Sequence, residues 1–180
     1  MSIRFFKPKK WADMLRLRLL YHEAFPRCER KPFSIIKAMS EKGKTDLWYF
    51  EDSEGFMGLC ATINGPDKVL IDYLAVAKKR RGTGVGTRML EALLDHYKDF
   101  GVFLEIEMQN PEAKNNPERI RRREFYLKCG LEPMDTYAKL FGVDMELLGK
   151  DCHLTFEEYR VFYLSNCGKF AYDHIAPISE

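Results

Sequence analysis

Residues 69–76, Val-Leu-Ile-Asp-Tyr-Leu-Ala-Val, constrain the fold more than any other segment. Both parities of this run are apolar, the pattern of a central strand covered on both faces, and Asp72 is its one interruption. Directly after it come a basic run, Lys78-Lys79-Arg80-Arg81, and a glycine loop, Gly82-Thr83-Gly84-Val85-Gly86. A helical period then runs from Val85 to about Phe100, with Met89, Leu90, Leu93, Leu94 and Tyr97 on one side. Strand, glycine loop and helix in that order make an anion site. The first N–H groups of a helix have no intrahelical acceptor, and glycine lets the backbone close on a phosphate. The spacing is G-x-G-x-G followed by Thr87, unlike the G-x-G-x-x-G of a dinucleotide site, and no Gly-Lys-Ser/Thr ending marks a Walker loop. The residues alone therefore indicate a phosphate-bearing ligand, with a solvated glycine turn as the plain alternative.

The rest of the chain supplies elements to surround that unit. A helix is predicted from about Lys10 to Ala24, with Trp11, Met14, Leu15, Leu19 and Phe25 as its apolar face, and Pro26 ends it. Pro32 opens a second helix through about Met39. Leu47–Glu51 and Phe56–Ile63, joined by Asp52-Ser53-Glu54-Gly55, read as a hairpin. Beyond the glycine helix come a strand at Val102–Met108, a polar loop at Asn110–Pro117 and a helix from Glu118 to Lys128 closed by Gly130. Strands near Thr136–Phe141 and Asp144–Leu148 and a helix from Thr155 to about Ser165 complete the order. This predicts one mixed α/β domain over residues 1–180, with a core to about 148 and an extension from about 149.

Charge and cysteines narrow the function. Lys plus Arg number 29 against 27 Asp plus Glu, a net charge of +2, too balanced for a general nucleic-acid surface. Any anion site must be local. The five cysteines, Cys28, Cys60, Cys129, Cys152 and Cys167, form no C-x-x-C pair, and the N-terminal residues lack the features of a signal peptide. No apolar run approaches the roughly 18 residues of a membrane span. The expectation is a cytoplasmic protein with no membrane or nucleic-acid partner. His22, His96, His153 and His174 have no metal-ligand spacing, so no metal is expected.

Leu74-Ala75-Val76 followed by Arg81-x-x-Gly84-x-Gly86 and a helix resembles the acetyl-CoA-binding motif of the GNAT superfamily of N-acetyltransferases. Leu104-x-Ile106-x-x-x-Asn110 resembles that family's fifth strand with its Asn. Phe125-Tyr126-Leu127-Lys128-Cys129-Gly130-Leu131 resembles its F-Y-x-x-x-G-F/L helix ending. With the ααββ lead-in, the resemblance covers roughly residues 1–148. It departs in having Lys78 where the family often has Pro, and a longer loop from Asn110 to Tyr126.

The resemblance implies a fold, a co-substrate and a site. The fold is a central mixed, mostly antiparallel sheet flanked by helices, an α/β fold of the α+β kind. The co-substrate is acetyl-CoA, and the activity is direct acetyl transfer to a primary amine of a small molecule or peptide. A longer acyl group, a hydroxyl acceptor, and an acyl-CoA-binding module without turnover are the alternatives. Arg81, Gly82, Thr83, Gly84, Val85, Gly86 and Thr87 would hold the pyrophosphate. Leu74, Ala75 and Val76 would line the pantetheine on a strand that splays from its neighbour, with the Val76 N–H toward the acetyl carbonyl, and Asn110 would reach the pantetheine. Tyr126 matches the family tyrosine that protonates the leaving thiolate; the plain alternative is a packed helix tyrosine.

A general base is sought among Glu107, Glu105 and Asp72, since a carboxylate shielded from water suits that role near neutrality. The same carboxylates could bind a cationic amine or pair with Arg121–Arg123. Arg119 and Arg121–Arg123 otherwise read as a solvated helical face, with adenine-side phosphate contact the lesser alternative. In the family, the connection between the first two helices borders the acceptor. Here Glu23, Arg27, Glu29 and Arg30 mix both charges, which suits a zwitterionic or peptide-like acceptor, or a solvated turn. A homodimer through the C-terminal strands or helix is the candidate assembly.

Overall fold

Strand alternation decides which side chains are buried in the computed structural model, which describes residues 3–27 and 29–178. Cys28 lies outside the described residues. The elements follow in chain order: β1 (Arg4–Phe6), α1 (Trp11–Ala24), α2 (Phe33–Glu41), β2 (Thr45–Asp52), β3 (Gly55–Asn64) and β4 (Lys68–Val76). A 3-10 turn (Lys78–Arg80) leads to α3 (Val85–His96), β5 (Gly101–Glu107), α4 (Asn116–Lys128), β6 (Glu132–Leu140) and β7 (Val143–Lys150). The last elements are α5 (Phe156–Cys167), α6 (Lys169–Asp173) and β8 (Ile175–Ala176). The described residues of Met1–Asn64 with Ile71–His96 make one compact unit, and those of Gly65–Leu70 with Tyr97–Glu180 make another.

In the first unit the strands hydrogen-bond in the order β1-β2-β3-β4, with β1–β2 and β2–β3 antiparallel. Odd-numbered residues of β2, β3 and β4 (Leu47, Tyr49, Leu59, Ala61, Tyr73, Ala75) pack with Leu17, Leu20 and Tyr21 of α1 and Phe33 and Ile36 of α2. Each such large side chain contributes about 1.5–3 kcal/mol through burial. This corrects part of the face expected for α1: Met14 and Phe25 do pack against this core, but Trp11 is 78% exposed and Leu19 61%, while Leu17, Leu20 and Tyr21 turn inward. The helix carries two apolar stripes, Trp11-Leu15-Leu19 and Leu17-Leu20-Tyr21, and periodicity alone does not choose between them. On the opposite parity, Trp48 packs edge-on to His96 at the end of α3, with ring centroids 5.0 Å apart.

In the second unit the order is β4-β5-β7-β6-β8. β4 and β5 run parallel, the last of their three register pairs being Leu70 with Phe103; the β5–β7, β6–β7 and β6–β8 pairs are antiparallel. The mixed, mostly antiparallel sheet flanked by helices is the architecture expected. α4 closes as predicted at Gly130: the Leu131 N–H bonds to the Tyr126 carbonyl (3.2 Å) and the Gly130 N–H to that of Leu127 (3.0 Å), a Schellman ending. α5 begins with a Thr155–Glu158 capping box and buries Tyr159, Phe162 and Tyr163. Phe162 meets Phe103 of β5 edge-on at 5.0 Å, so the segment after residue 149 is built into this unit. Among the described residues no helix is long and apolar enough to cross a membrane.

Candidate active site

The glycine loop leaves its backbone donors open. Gly82 and Gly84 both have φ of +76°, a left-handed conformation that glycine adopts without Cβ strain. The first helical bond of α3 runs from the Arg88 N–H to the Gly84 carbonyl, 3.2 Å. Among the described residues, the N–H groups of Gly82, Thr83, Gly84, Val85, Gly86 and Thr87 make no backbone hydrogen bond. A helix N-terminus preceded by such donors fits the oxygens of a pyrophosphate.

The basic run around the loop is mostly engaged. The Arg81 Nε donates to the Val76 carbonyl (3.0 Å), and its terminal nitrogen pairs with Glu23 (2.8 Å). Arg80 reaches Asp52, at the end of β2, through both terminal nitrogens (3.2 and 2.7 Å), and Arg88 of α3 reaches the same carboxylate at 2.8 Å. The Arg80 hydrogen bond, then that of Arg88, holds the Asp52 carboxyl well below the usual carboxylate range. Lys78 and Lys79 are exposed.

β4 carries the other candidates of the first unit. Leu74 and Val76 are half-buried and Ala75 is buried. A Cβ on Gly58 of β3 would stand 2.2 Å from the Ala75 carbonyl oxygen, so only glycine permits this approach to the segment expected to line pantetheine. Both oxygens of Asp72 accept from the Lys31 ammonium (2.8 and 2.7 Å). Lys31 lies on the α1–α2 connection, which two phenols also hold. The Tyr73 hydroxyl donates to the Glu29 carbonyl (3.1 Å) and accepts from the Lys31 N–H (3.2 Å), while the Tyr21 hydroxyl donates to the Lys31 carbonyl (2.9 Å). Burial, then the neighbouring Tyr73, pushes the Tyr21 phenol up.

In the second unit the two strand glutamates have different partners. Glu105 accepts from the hydroxyls of Tyr159 (2.6 Å) and Tyr163 (2.7 Å), both on α5. Glu107 accepts from Arg119 (3.0 Å) and Asn115 (3.2 Å). Arg123 forks onto Glu146 of β7, and Arg121 pairs with Glu118 on the helix surface. The expectation of a solvated arginine face therefore holds for Arg121 but not for Arg119 and Arg123. The Asn110 side-chain oxygen accepts from the Glu112 N–H (2.9 Å), closing a local turn. Tyr126 is half-buried on α4 beside Phe125, with ring centroids 5.0 Å apart.

A model of the acetyltransferase (GNAT) family matches residues 11–131. The chain belongs to this family. Solved structures of the same fold include a GNAT-family protein from Bacteroides thetaiotaomicron, 17% identical over 94% of this chain and 99% of that one, with a TM-score of 0.76. The ribosomal-protein-S18-alanine N-acetyltransferase from Escherichia coli is 12% identical over 86% of this chain and 96% of its own, with a TM-score of 0.62. The spermidine N-acetyltransferase from Vibrio cholerae, solved with CoA and spermine, is 12% identical over 82% and 94%, with a TM-score of 0.64. A search of curated proteins gave no significant match.

Every candidate site residue of this GNAT chain lies within the matched segment. The first unit brings together Leu74–Val76 and Arg81–Thr87, joined by the Arg81–Val76 bond. Asp52, Arg88, Lys31 and Tyr73 were not singled out by sequence. Asp52 had one available signal: an acidic residue at a turn, in a chain whose basic run needs a counter-charge.

Proposed function

We propose that the chain transfers an acetyl group from acetyl-CoA to a primary amine of a small molecule or peptide. The glycine loop carries this reading: among the described residues its N–H groups from Gly82 to Thr87 make no backbone hydrogen bond, at the N-terminus of α3 and within the segment that the family model matches. Arg81–Thr87 receive the pyrophosphate, Leu74–Val76 align the pantetheine, and Asn110 is assigned a pantetheine contact of its own. The amine attacks the thioester carbonyl carbon while the Val76 N–H stabilises its oxygen. The C–S bond breaks, and Tyr126 gives its proton to the leaving thiolate.

The hydrogen bonds rank the carboxylates. Asp72 and Glu107 are bound to Lys31 and Arg119, which suits them to positioning. Glu105 takes two phenol hydroxyls, which can pass a proton, and is the base in this proposal. An amine acceptor is in keeping with the named activities of the Escherichia coli and Vibrio cholerae proteins. A cytoplasmic setting and a homodimer belong to the same proposal.

Calorimetry with acetyl-CoA, followed by thiol release across polyamines and peptides with free N-termini, tests the reading. Sub-millimolar binding and amine-dependent thiol release are expected. Binding without release for any amine would make the chain an acyl-CoA-binding module, and no binding would sink the proposal. With a productive amine, Tyr126→Phe should lower turnover at least about tenfold. Glu105→Gln should remove the acidic limb of the pH–rate profile, whereas an unmoved limb excludes it as the base.

A further inference from the structure

The glycine loop is gripped from both of its ends by one carboxylate outside the motif. Asp52 closes β2, and its side chain has no exposed surface. Four hydrogen bonds end on it: two from Arg80, one from Arg88, and one from the Glu54 N–H at 2.9 Å. Arg80 immediately precedes the loop, and Arg88 follows it on α3. Within the loop, the Thr83 hydroxyl donates to the Arg80 carbonyl at 2.8 Å. A segment with three glycines loses roughly 0.5–1 kcal/mol more per glycine on ordering than one with alanines. Left loose, it would draw that cost from ligand binding. Anchored at both ends, it is ordered before the ligand arrives.

The same bonds remove Arg80 and Arg88 from the charges that can meet a phosphate, and Arg81 is turned to Val76 and Glu23. Lys78 and Lys79 are exposed, and among the described residues neither forms an ion pair. We propose that Asp52 is a positioning residue for the anion site. Through Arg80 and Arg88 it fixes the Arg81–Thr87 backbone in the shape that receives a pyrophosphate, and it leaves Lys78 and Lys79 as the cations that meet phosphate directly. This rests on the CoA reading above.

The test is titration of the full chain with CoA at low and high salt, combined with amide hydrogen exchange of the ligand-free protein. Asp52→Asn and Arg80→Met should each weaken CoA about tenfold at both salt concentrations. Both should speed exchange of the Arg88 N–H, whose bond to the Gly84 carbonyl closes the loop, and leave β2 and β3 unchanged. Arg88→Met, which keeps the Asp52–Arg80 bonds, should cost less than about threefold. The Lys78→Met/Lys79→Met pair should weaken binding about threefold at low salt, a loss that screening erases at high salt.

A loss for Arg80→Met that also vanishes at high salt would make Arg80 a bulk charge and overturn the inference. So would Asp52→Asn binding CoA and exchanging like wild type. Should Asp52→Asn not fold, Arg80→Met decides the question. A wild-type chain that does not bind CoA overturns the CoA reading and this inference together. Wild-type binding that both variants leave intact overturns the inference alone.

Discussion

Asp52 and Asp72 are both shielded, with side chains 0% and 11% exposed, yet they are held in opposite ways. Asp52 meets two guanidiniums, whose planar forks fix direction as well as distance. Asp72 meets one ammonium, a point charge on a flexible stem. Around Asp72 the direction is supplied instead by the Tyr21 and Tyr73 hydroxyls, which bond the backbone of the connection. One region is built to keep a single backbone shape. The other keeps its backbone in place and sets a single ammonium against β4. In the proposed enzyme this matches a constant phosphate group on one side and an acceptor of variable shape on the other.

The largest effect that would probe this contrast comes from the phenols. Tyr21→Phe with Tyr73→Phe should destabilise the protein by about 2 kcal/mol in denaturant unfolding, because three part-buried hydrogen bonds to the backbone of the connection are lost. A neutral double variant would mean that the Lys31–Asp72 pair alone holds the connection. Next is an exchange of cations. Arg80→Lys keeps the charge and loses the fork, and should weaken CoA about fivefold, while Lys31→Arg should change it less than about twofold. Equal effects would erase the distinction between the two carboxylates.

Acid gives a smaller, signed effect. The Asp52 carboxyl is held below its ordinary value, so the folded chain binds fewer protons there than the unfolded one. Its contribution is complete above about pH 5 and shrinks as pH falls below about 4. The stability difference between wild type and Asp52→Asn should therefore be flat from pH 7 to about 5 and close on further acidification. The smallest effect belongs to the exposed Arg81–Glu23 pair, where Glu23→Gln should change stability by less than about 0.5 kcal/mol.

What the sequence made legible is local. β4, the glycine loop and α3 are contiguous, so their order and chemistry could be read from neighbouring residues, and the Gly130 ending of α4 likewise. The pairings that hold the site are not local. Asp52 lies 28 positions from Arg80, and Lys31 lies 41 from Asp72. In the chain, Asp52 is only the first residue of a polar turn. β1 and β8, of three and two residues, are too short to show alternation. The arginines of α4 did carry a usable signal. Arg119 and Arg123 are four apart and share a helix face, and both turn to strand carboxylates, whereas Arg121 lies on another face.

The clamp at the glycine loop also bears on the order in which the protein is made. Asp52, Arg80 and Arg88 all precede residue 97, as do Lys31, Asp72 and both phenols. Synthesis proceeds from the N-terminus, so every partner of the anion loop has been added before any residue of β5, α4 or the C-terminal strands exists. In the proposed enzyme, the residues assigned to the pyrophosphate of the co-substrate therefore all lie in the half of the polypeptide that the ribosome delivers first.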